Sequence, residues 1–349
     1  MKRGLTFCCM LIFVAVFSVI GSCNKNDHAD SSGTTSIVFK TPDGFPPPND
    51  YFSGNPITKE GFELGRKLFY DGRLSRDGNF PCASCHQQFA AFATFDHPLS
   101  HGIDNQFTTR NAPGLFNLAW RKELHWDGGI NHIEVQPLAP ITAPNEMGET
   151  VNSVINKLNQ DEHYRQMFSK AFGTEEINSQ KMLKALAQFM LMMVSADSRY
   201  DKMKAGKVTF TEAEQKGYEI FQNKCATCHK EPFFTDFSYR NTGLSVNPFL
   251  NDFGRMRITH NAEDSLKFLV PSLRNVFITY PYGHDGRFYA LSGVIDHYRS
   301  GVIDAPGTDP LVRNKIPISD LEKYELQQFL RTLTDSTFIK DTRFSQPSE

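Results

Sequence analysis

A five-residue pattern, Cys-x-x-Cys-His, occurs twice in this 349-residue chain, as Cys82-Ala-Ser-Cys85-His86 and as Cys225-Ala-Thr-Cys228-His229. On a helical turn, positions i, i+3 and i+4 share one face, so two thiols and an imidazole converge on one ligand at each copy. Of the seven cysteines, Cys8, Cys9 and Cys23 lie near the N-terminus and the other four all belong to the two motifs. None is left for a disulfide framework. Covalent haem accounts for every residue of the pattern, with two thioether links and a proximal nitrogen for iron. Two other readings stand beside it. Zinc could use the four cysteines, although the pairs are 143 residues apart and each carries a histidine that zinc leaves unexplained. A redox dithiol needs neither the histidine nor a second copy.

The N-terminal segment reads as a targeting signal. Lys2 and Arg3 precede an almost wholly apolar run, Leu5 to Ile20, which ends in Ile20-Gly21-Ser22-Cys23. That ending resembles a bacterial lipobox, cleaved before a cysteine that becomes lipidated. Residues 1–22 are therefore expected to be a lipoprotein signal peptide, and residues 23–50 a flexible tether. The alternatives are a simple secretory peptide or a short membrane anchor. The composition of Asn24 to Ser36 suits a tether, and no later segment is long and apolar enough to span a bilayer. The expected location is the periplasmic or cell-surface side of a membrane, with a lipid anchor at Cys23. Lys plus Arg is 37 against 39 Asp plus Glu, so there is no basic excess to neutralise phosphates and no nucleic-acid partner is expected.

The two halves of the chain resemble each other beyond the motifs. Gly65 and Phe69 precede the first motif at helical spacing, and Gly217 and Phe221 precede the second. Pro113 and Pro271 each open a segment in which Asn follows by four residues and Asp-Gly by fourteen, which makes Trp126 and His284 equivalent. A helix is expected from Ser179 to Ala196, its Met and Leu stripe serving as core. Another is expected after Ser319, with Glu322 completing its cap. Strand-like alternation is scarce. The fold class is mainly α, as two haem-bearing domains from an internal duplication, residues 51–204 and 205–349, with the boundary near Gly206.

Together with Pro113-x-Leu115-x-Asn117, Trp126-Asp127-Gly128 and Glu146-Met147, the two motifs make the chain resemble bacterial di-haem cytochrome c peroxidases, a superfamily that includes MauG-type enzymes. The resemblance runs from about Phe52 to Thr334 and implies two cytochrome c-like domains. It implies that His86 is the proximal ligand of the peroxidatic iron and His229 that of the electron-transfer iron. Glu146 matches the distal acid that moves the peroxide proton, a task that cleavage of an O–O bond requires. Trp126 matches a tryptophan between the haems that passes electrons. His101 resembles a removable distal histidine that blocks peroxide access; His97 and His101 also read as surface residues.

At the second haem, the peroxidases place a methionine fourteen residues after the His of the His-Asp-Gly turn. Here that position is Tyr298, as in MauG-type members. A tyrosine ligand lowers haem potential relative to methionine. Met256, His297 or a five-coordinate iron are the alternatives. The resemblance further implies one calcium ion held by Asn111 and by the backbone carbonyls of Thr279 and Pro281. The implied function is reduction of hydrogen peroxide to water, with electrons from a small donor protein, a cytochrome c or cupredoxin. The alternatives are a MauG-like oxidase of a protein or small molecule, storing two oxidising equivalents across both haems, and a non-enzymatic electron carrier. A homodimer is compatible with each.

Overall fold

The computed structural model describes Met1 and residues 33–348, so the signal sequence, Cys8, Cys9 and Cys23 lie outside the described residues. In chain order the longer helices are α1 Lys59–Phe69, α2 Val151–Asn159, α3 Glu162–Phe172, α4 Ser179–Leu191, α5 Arg199–Lys204, α6 Glu212–Lys224, α7 Leu291–Asp296 and α8 Asp320–Arg331. Their starts are written in the sequence. The Thr58 hydroxyl accepts from Gly61 N–H at the head of α1. Thr211 with Glu214, and Ser319 with Glu322, form complete capping boxes on α6 and α8. Among the described residues the one sheet is an antiparallel pair, β1 Tyr239–Arg240 with β2 Phe268–Leu269.

Two apolar cores result. The first gathers α1, α2, α3 and α4; the second gathers α6, α8 and α7. Each is organised by one tight helix pair. A β-carbon on Gly65 of α1 would stand 1.9 Å from the Ala185 carbonyl oxygen of α4 and 3.0 Å from Phe189 Cβ. On Gly217 of α6 it would stand 2.0 Å from the Glu325 oxygen of α8 and 2.9 Å from Phe329 Cβ. Only glycine permits either approach. One turn on, Phe69 meets Phe189 at 5.2 Å and Phe221 meets Phe329 at 5.0 Å between ring centroids.

The asparagines four residues after Pro113 and Pro271 close the two halves in the same way. Asn117 and Asn275 are left-handed, with φ of 56° and 59°. Their backbone N–H groups donate to Met193 O and Leu333 O, and their side-chain oxygens accept from Ser195 N–H and Asp335 N–H. This clamp explains why α4 stops at Leu191 rather than continuing to Ala196 as the apolar stripe suggests. Residues 193–195 are drawn out of helical geometry to pair with Asn117.

Packing bears on three expected boundaries. The tether does not extend to residue 50, because the chain packs from Thr35 onward: Lys59 N–H donates to Thr35 O and Ile37 N–H to Ile57 O, both at 2.8 Å. Phe45 then lies across both halves, 5.2 Å from Trp120, 5.0 Å from Phe233 and under the Arg274 guanidinium at 5.1 Å. Just upstream of the expected boundary near Gly206, Tyr200 of α5 is already buried in the second core. The C-terminal end leaves the second half, because Phe338 and Phe344 bury in the first core and the Tyr70 hydroxyl donates to Phe344 O at 2.6 Å. In each case apolar burial, which the loop-like composition conceals, decides the assignment.

Candidate functional site

The first motif forms a single helical turn, Cys82–Cys85, closed by His86 N–H donating to Cys82 O at 3.0 Å. The second continues from the end of α6, where His229 N–H donates to Cys225 O, also at 3.0 Å. Each imidazole is oriented from behind. His86 Nδ1–H donates to Phe92 O at 2.7 Å, and His229 Nδ1–H to Phe234 O at 3.0 Å and Pro271 O at 3.2 Å. Phe92 and Phe234 are both left-handed, with φ of 59° and 55°, which turns their carbonyls back onto the rings. With Nδ1 engaged, Nε2 is the nitrogen left for a metal, and a backbone acceptor of this kind raises ligand basicity. Burial pushes the His86 pKa down to about 4 and lowers that of His229, so both rings are neutral, as ligation requires.

The cysteines fit the same purpose. Burial pushes the Cys82 and Cys225 thiols up to about 12, the opposite of the lowered values that make redox dithiols reactive. Cys82 packs on the first core and Cys225 on the second. Among the described residues no three His, Cys, Asp or Glu side chains assemble as an ion site. The four cysteines therefore do not converge, and the zinc reading falls.

Between the halves lies a cavity of about 590 Å³, within the range of cofactor pockets. Cys225, Cys228, His229 and Tyr298 line it from the second half, with apolar walls at Val270, Leu273, Val294 and Leu326. Asn111, Arg121, His125 and Trp126 close it from the first half. The donor set and the apolar walls fit a covalently attached haem held by Cys225, Cys228 and His229.

Trp126 sits at the junction. Its indole N–H donates to Asn111 O at 2.8 Å, and its carbonyl accepts from Leu269 N–H of β2 at 2.7 Å. Asn111 N–H in turn donates to His284 O at 2.8 Å, so the two equivalent positions share one residue. His284 itself stacks on Phe268 with ring centroids 3.7 Å apart. Beside Asn111, half-buried Arg110 grips buried Asp127 of its own half and buried Asp252 of the other, the latter through two bonds at 2.6 and 2.8 Å. Asn111, Thr279 and Pro281 all line the cavity, and Asn111 Nδ2–H donates to Pro98 O at 3.0 Å.

Glu146 stands near Cys85, close enough for its charge to act on that thiol. Its carboxyl makes no ion pair among the described residues, and burial alone raises its pKa above the usual carboxylate range. Its loop is stitched to the His101 loop: Ile103 N–H donates to Glu146 O and Asn145 Nδ2–H to Phe107 O, both at 2.9 Å. His101 is exposed, its ring 5.1 Å from His97 and 4.7 Å from Phe107. Tyr298 lies in the π-helical turn His297–Gly301 that follows α7, a deformation frequent at functional sites. Burial and the neighbouring Cys225 and Cys228 raise its pKa. Of the alternatives at the second iron, His297 is tied through Nε2 to Thr242 O at 2.9 Å, and Met256 is not among the residues that line the cavity.

Sequence reasoning missed Arg110, Arg121 and Phe45. Arg110 had an available signal in its place directly before Asn111. Its partner Asp252 lies 142 residues away and nothing local points to it. Arg121 and Phe45 sit in stretches without a motif.

Two oriented C-x-x-C-H turns on separate helical cores define a di-haem c-type protein. The sequence model described as di-haem cytochrome c peroxidase matches residues 59–209. The methylamine utilization protein MauG of Methylophilus methylotrophus is 34% identical over 302 residues, covering 84% of this chain and 87% of its own. The cytochrome c551 peroxidase of Nitrosomonas europaea is 34% identical over 241 residues, covering 67% and 71%. A solved MauG-like protein associated with microbial copper homeostasis superposes with a TM-score of 0.83 at 33% identity, covering 89% of this chain and 99% of that one. This chain belongs to the di-haem cytochrome c peroxidase and MauG family of oxidoreductases, whose members carry two c-type haems. No described helix is long and apolar enough to cross a membrane.

Proposed function

We propose that this protein consumes hydrogen peroxide at the first site, built on Cys82, Cys85 and His86. Glu146 carries the reading: a carboxyl free of ion pairs, near Cys85, whose pKa burial raises. An electron carrier has no use for such a group. When bound, the two haems supply the redox chemistry, peroxide reduction at one iron and electron exchange at the other. The chain's residues do the rest. His86 and His229 present Nε2 because their Nδ1–H groups are engaged by backbone carbonyls. Glu146 takes a proton from the near oxygen of peroxide and delivers it to the departing one. Trp126, hydrogen-bonded at the junction of the halves, bridges the two sites.

For the supply of electrons, the second site favours the MauG-type arrangement over a cytochrome-fed peroxidase. Tyr298 and His297 both line its cavity, His297 with Nε2 bonded to Thr242 O, and Met256 is not among the lining residues. In the MauG-type reading the electrons come from a protein or small-molecule substrate; in the other they come from a reduced cytochrome c or cupredoxin. In either, two electrons and two protons convert one peroxide into two waters. The exposure of His101 supports a first site open to peroxide without prior reduction. One calcium ion at Asn111, Thr279 and Pro281, and a lipid anchor at Cys23 on the periplasmic or cell-surface side, complete the proposal. The paired glycines, asparagines and histidines of the two halves support an origin by duplication.

Steady-state peroxide turnover with reduced cytochrome c separates the readings. Donor-dependent turnover establishes the peroxidase. Stoichiometric peroxide consumption without donor turnover, with both haems attached and turnover restored only when an oxidisable substrate supplies the electrons, supports the oxidase. No reaction with peroxide at full haem loading overturns both.

A further inference from the structure

Three buried side-chain polar atoms lack a hydrogen-bond partner among the described residues: Asn49 Nδ2, Arg121 Nε and the Tyr239 hydroxyl. The chain brings their carriers into one neighbourhood. Asn49 N–H donates to Ala119 O at 2.9 Å, and the Tyr51 hydroxyl donates to Arg121 O, so residues 49–51 run beside residues 119–121. The Arg121 charge acts on both Tyr51 and Tyr239. Arg121 also lines the cavity between the halves.

Arg121 differs from the arginines around it. Arg110 is paired with Asp127 and Asp252, Arg240 with Asp236 and Asp309, and Arg255 with Glu123. Arg121 makes no ion pair among the described residues, and its one contact from the guanidinium tip is a long bond, 3.5 Å, from Nη2–H to His125 O. Glu123, which interacts with Tyr239 and raises its pKa, is also held through both oxygens by Arg255. A half-buried cation whose Nε is buried without a partner or counter-charge is costly, and removing a buried charge's partner ordinarily destabilises a protein strongly. Burial lowers the Arg121 pKa, as expected for a charge still awaiting compensation. Guanidinium, carboxamide and phenol groups all donate, and the ligand that complements them is a planar anion with several acceptor oxygens.

We propose that Arg121, which lines the cavity, binds a carboxylate there, with Tyr239 and Asn49 as neighbouring donors. The inference rests on the reading of that cavity as a haem site, where a propionate is the carboxylate at hand; a free carboxylate is the other source. Arg121 is then a positioning residue that sets the charge felt by one haem.

The test uses the haem-loaded protein and its Arg121→Gln, Arg121→Lys and Tyr239→Phe variants, with two haems per chain verified by absorbance. For a propionate, Arg121→Gln lowers the midpoint potential of one haem, since loss of a nearby positive charge disfavours reduction, and Arg121→Lys restores part of the shift. For a free carboxylate, potentials hold, but acetate perturbs the wild-type haem spectrum and binds Arg121→Gln at least about tenfold more weakly. If Arg121→Gln does not accumulate folded, Tyr239→Phe carries both measurements with a smaller shift. Unchanged potentials together with no effect of acetate, at full haem loading, overturn the proposal. A wild-type chain without haem overturns the haem reading instead, and acetate titration followed by tryptophan fluorescence still decides the site.

Discussion

The two halves are built alike and equipped differently. In both, a glycine lets one helix ride on a carbonyl of its partner, a left-handed asparagine clamps the chain beyond that partner, and a left-handed phenylalanine aims its carbonyl at the motif histidine. What differs lies in the loops that follow. The first half places Glu146 near its motif on a loop stitched to residues 101–107. The second places Tyr298 on a π-helical turn against its motif cysteines, and puts His284, stacked on Phe268, where the first has Trp126. The shared scaffold fixes where a cofactor attaches; the unshared loops tell the two ends apart and, in the proposed reading, set which one meets peroxide.

The sharpest way to break this contrast is Glu146→Gln. Peroxide consumption should fall about 10²- to 10⁴-fold, the usual contribution of a positioned acid–base group, while the spectrum and potential of the second haem stay unchanged. The pKa of Glu146 is raised, so its carboxylate form, and with it the rate, is lost as pH falls through a value above the usual carboxylate range. The stability consequence has the opposite sign. A raised carboxyl pKa contributes stability that is present at low pH and lost as pH rises through the folded value, so Glu146→Gln should melt slightly higher at neutral pH. A lower melting temperature there would contradict the assigned burial.

The next largest effect is on the joint between the halves. Arg110→Ala strands Asp127 and Asp252 in a buried setting and should cost about 3–5 kcal/mol, seen as a lower denaturation midpoint. Both halves should be affected if they melt as one unit; separate transitions would show that they are held independently. Phe45→Ala removes the ring that spans Trp120 and Phe233 and should cost about 1–2 kcal/mol, since the ring is only half-buried. The smallest energetic change is Tyr298→Phe, within about 1 kcal/mol of wild type, because no hydrogen bond from the hydroxyl to another described residue is present. Its spectroscopic effect should be confined to the second haem. An unchanged second-haem spectrum removes Tyr298 as a ligand.

Much of the site was legible because its chemistry is local. Two thiols and an imidazole must be close in sequence to meet one planar ligand, and the motifs therefore carry their own geometry. The likeness of the two halves was legible at Gly65 and Gly217, and at Asn117 and Asn275, since their spacing is preserved along the chain. The helix starts at Thr211 and Ser319 were equally plain, because capping is satisfied within four residues. By contrast, the ends of the elements were misjudged wherever a distant partner set them. The helix from Ser179 stops early because Asn117 claims residues 193–195.

The sequence alone determined that this chain carries two C-x-x-C-H centres on mainly helical supports, for those requirements are met by neighbours along the chain. The tertiary structure decided the rest. It laid Phe45 across both halves, returned Phe338 and Phe344 to the first core, and joined Arg110 to Asp252. It also placed Arg121 on a cavity wall without a counter-charge. These features depend on burial and on charges brought together from remote segments, and composition or spacing within any one segment does not record them.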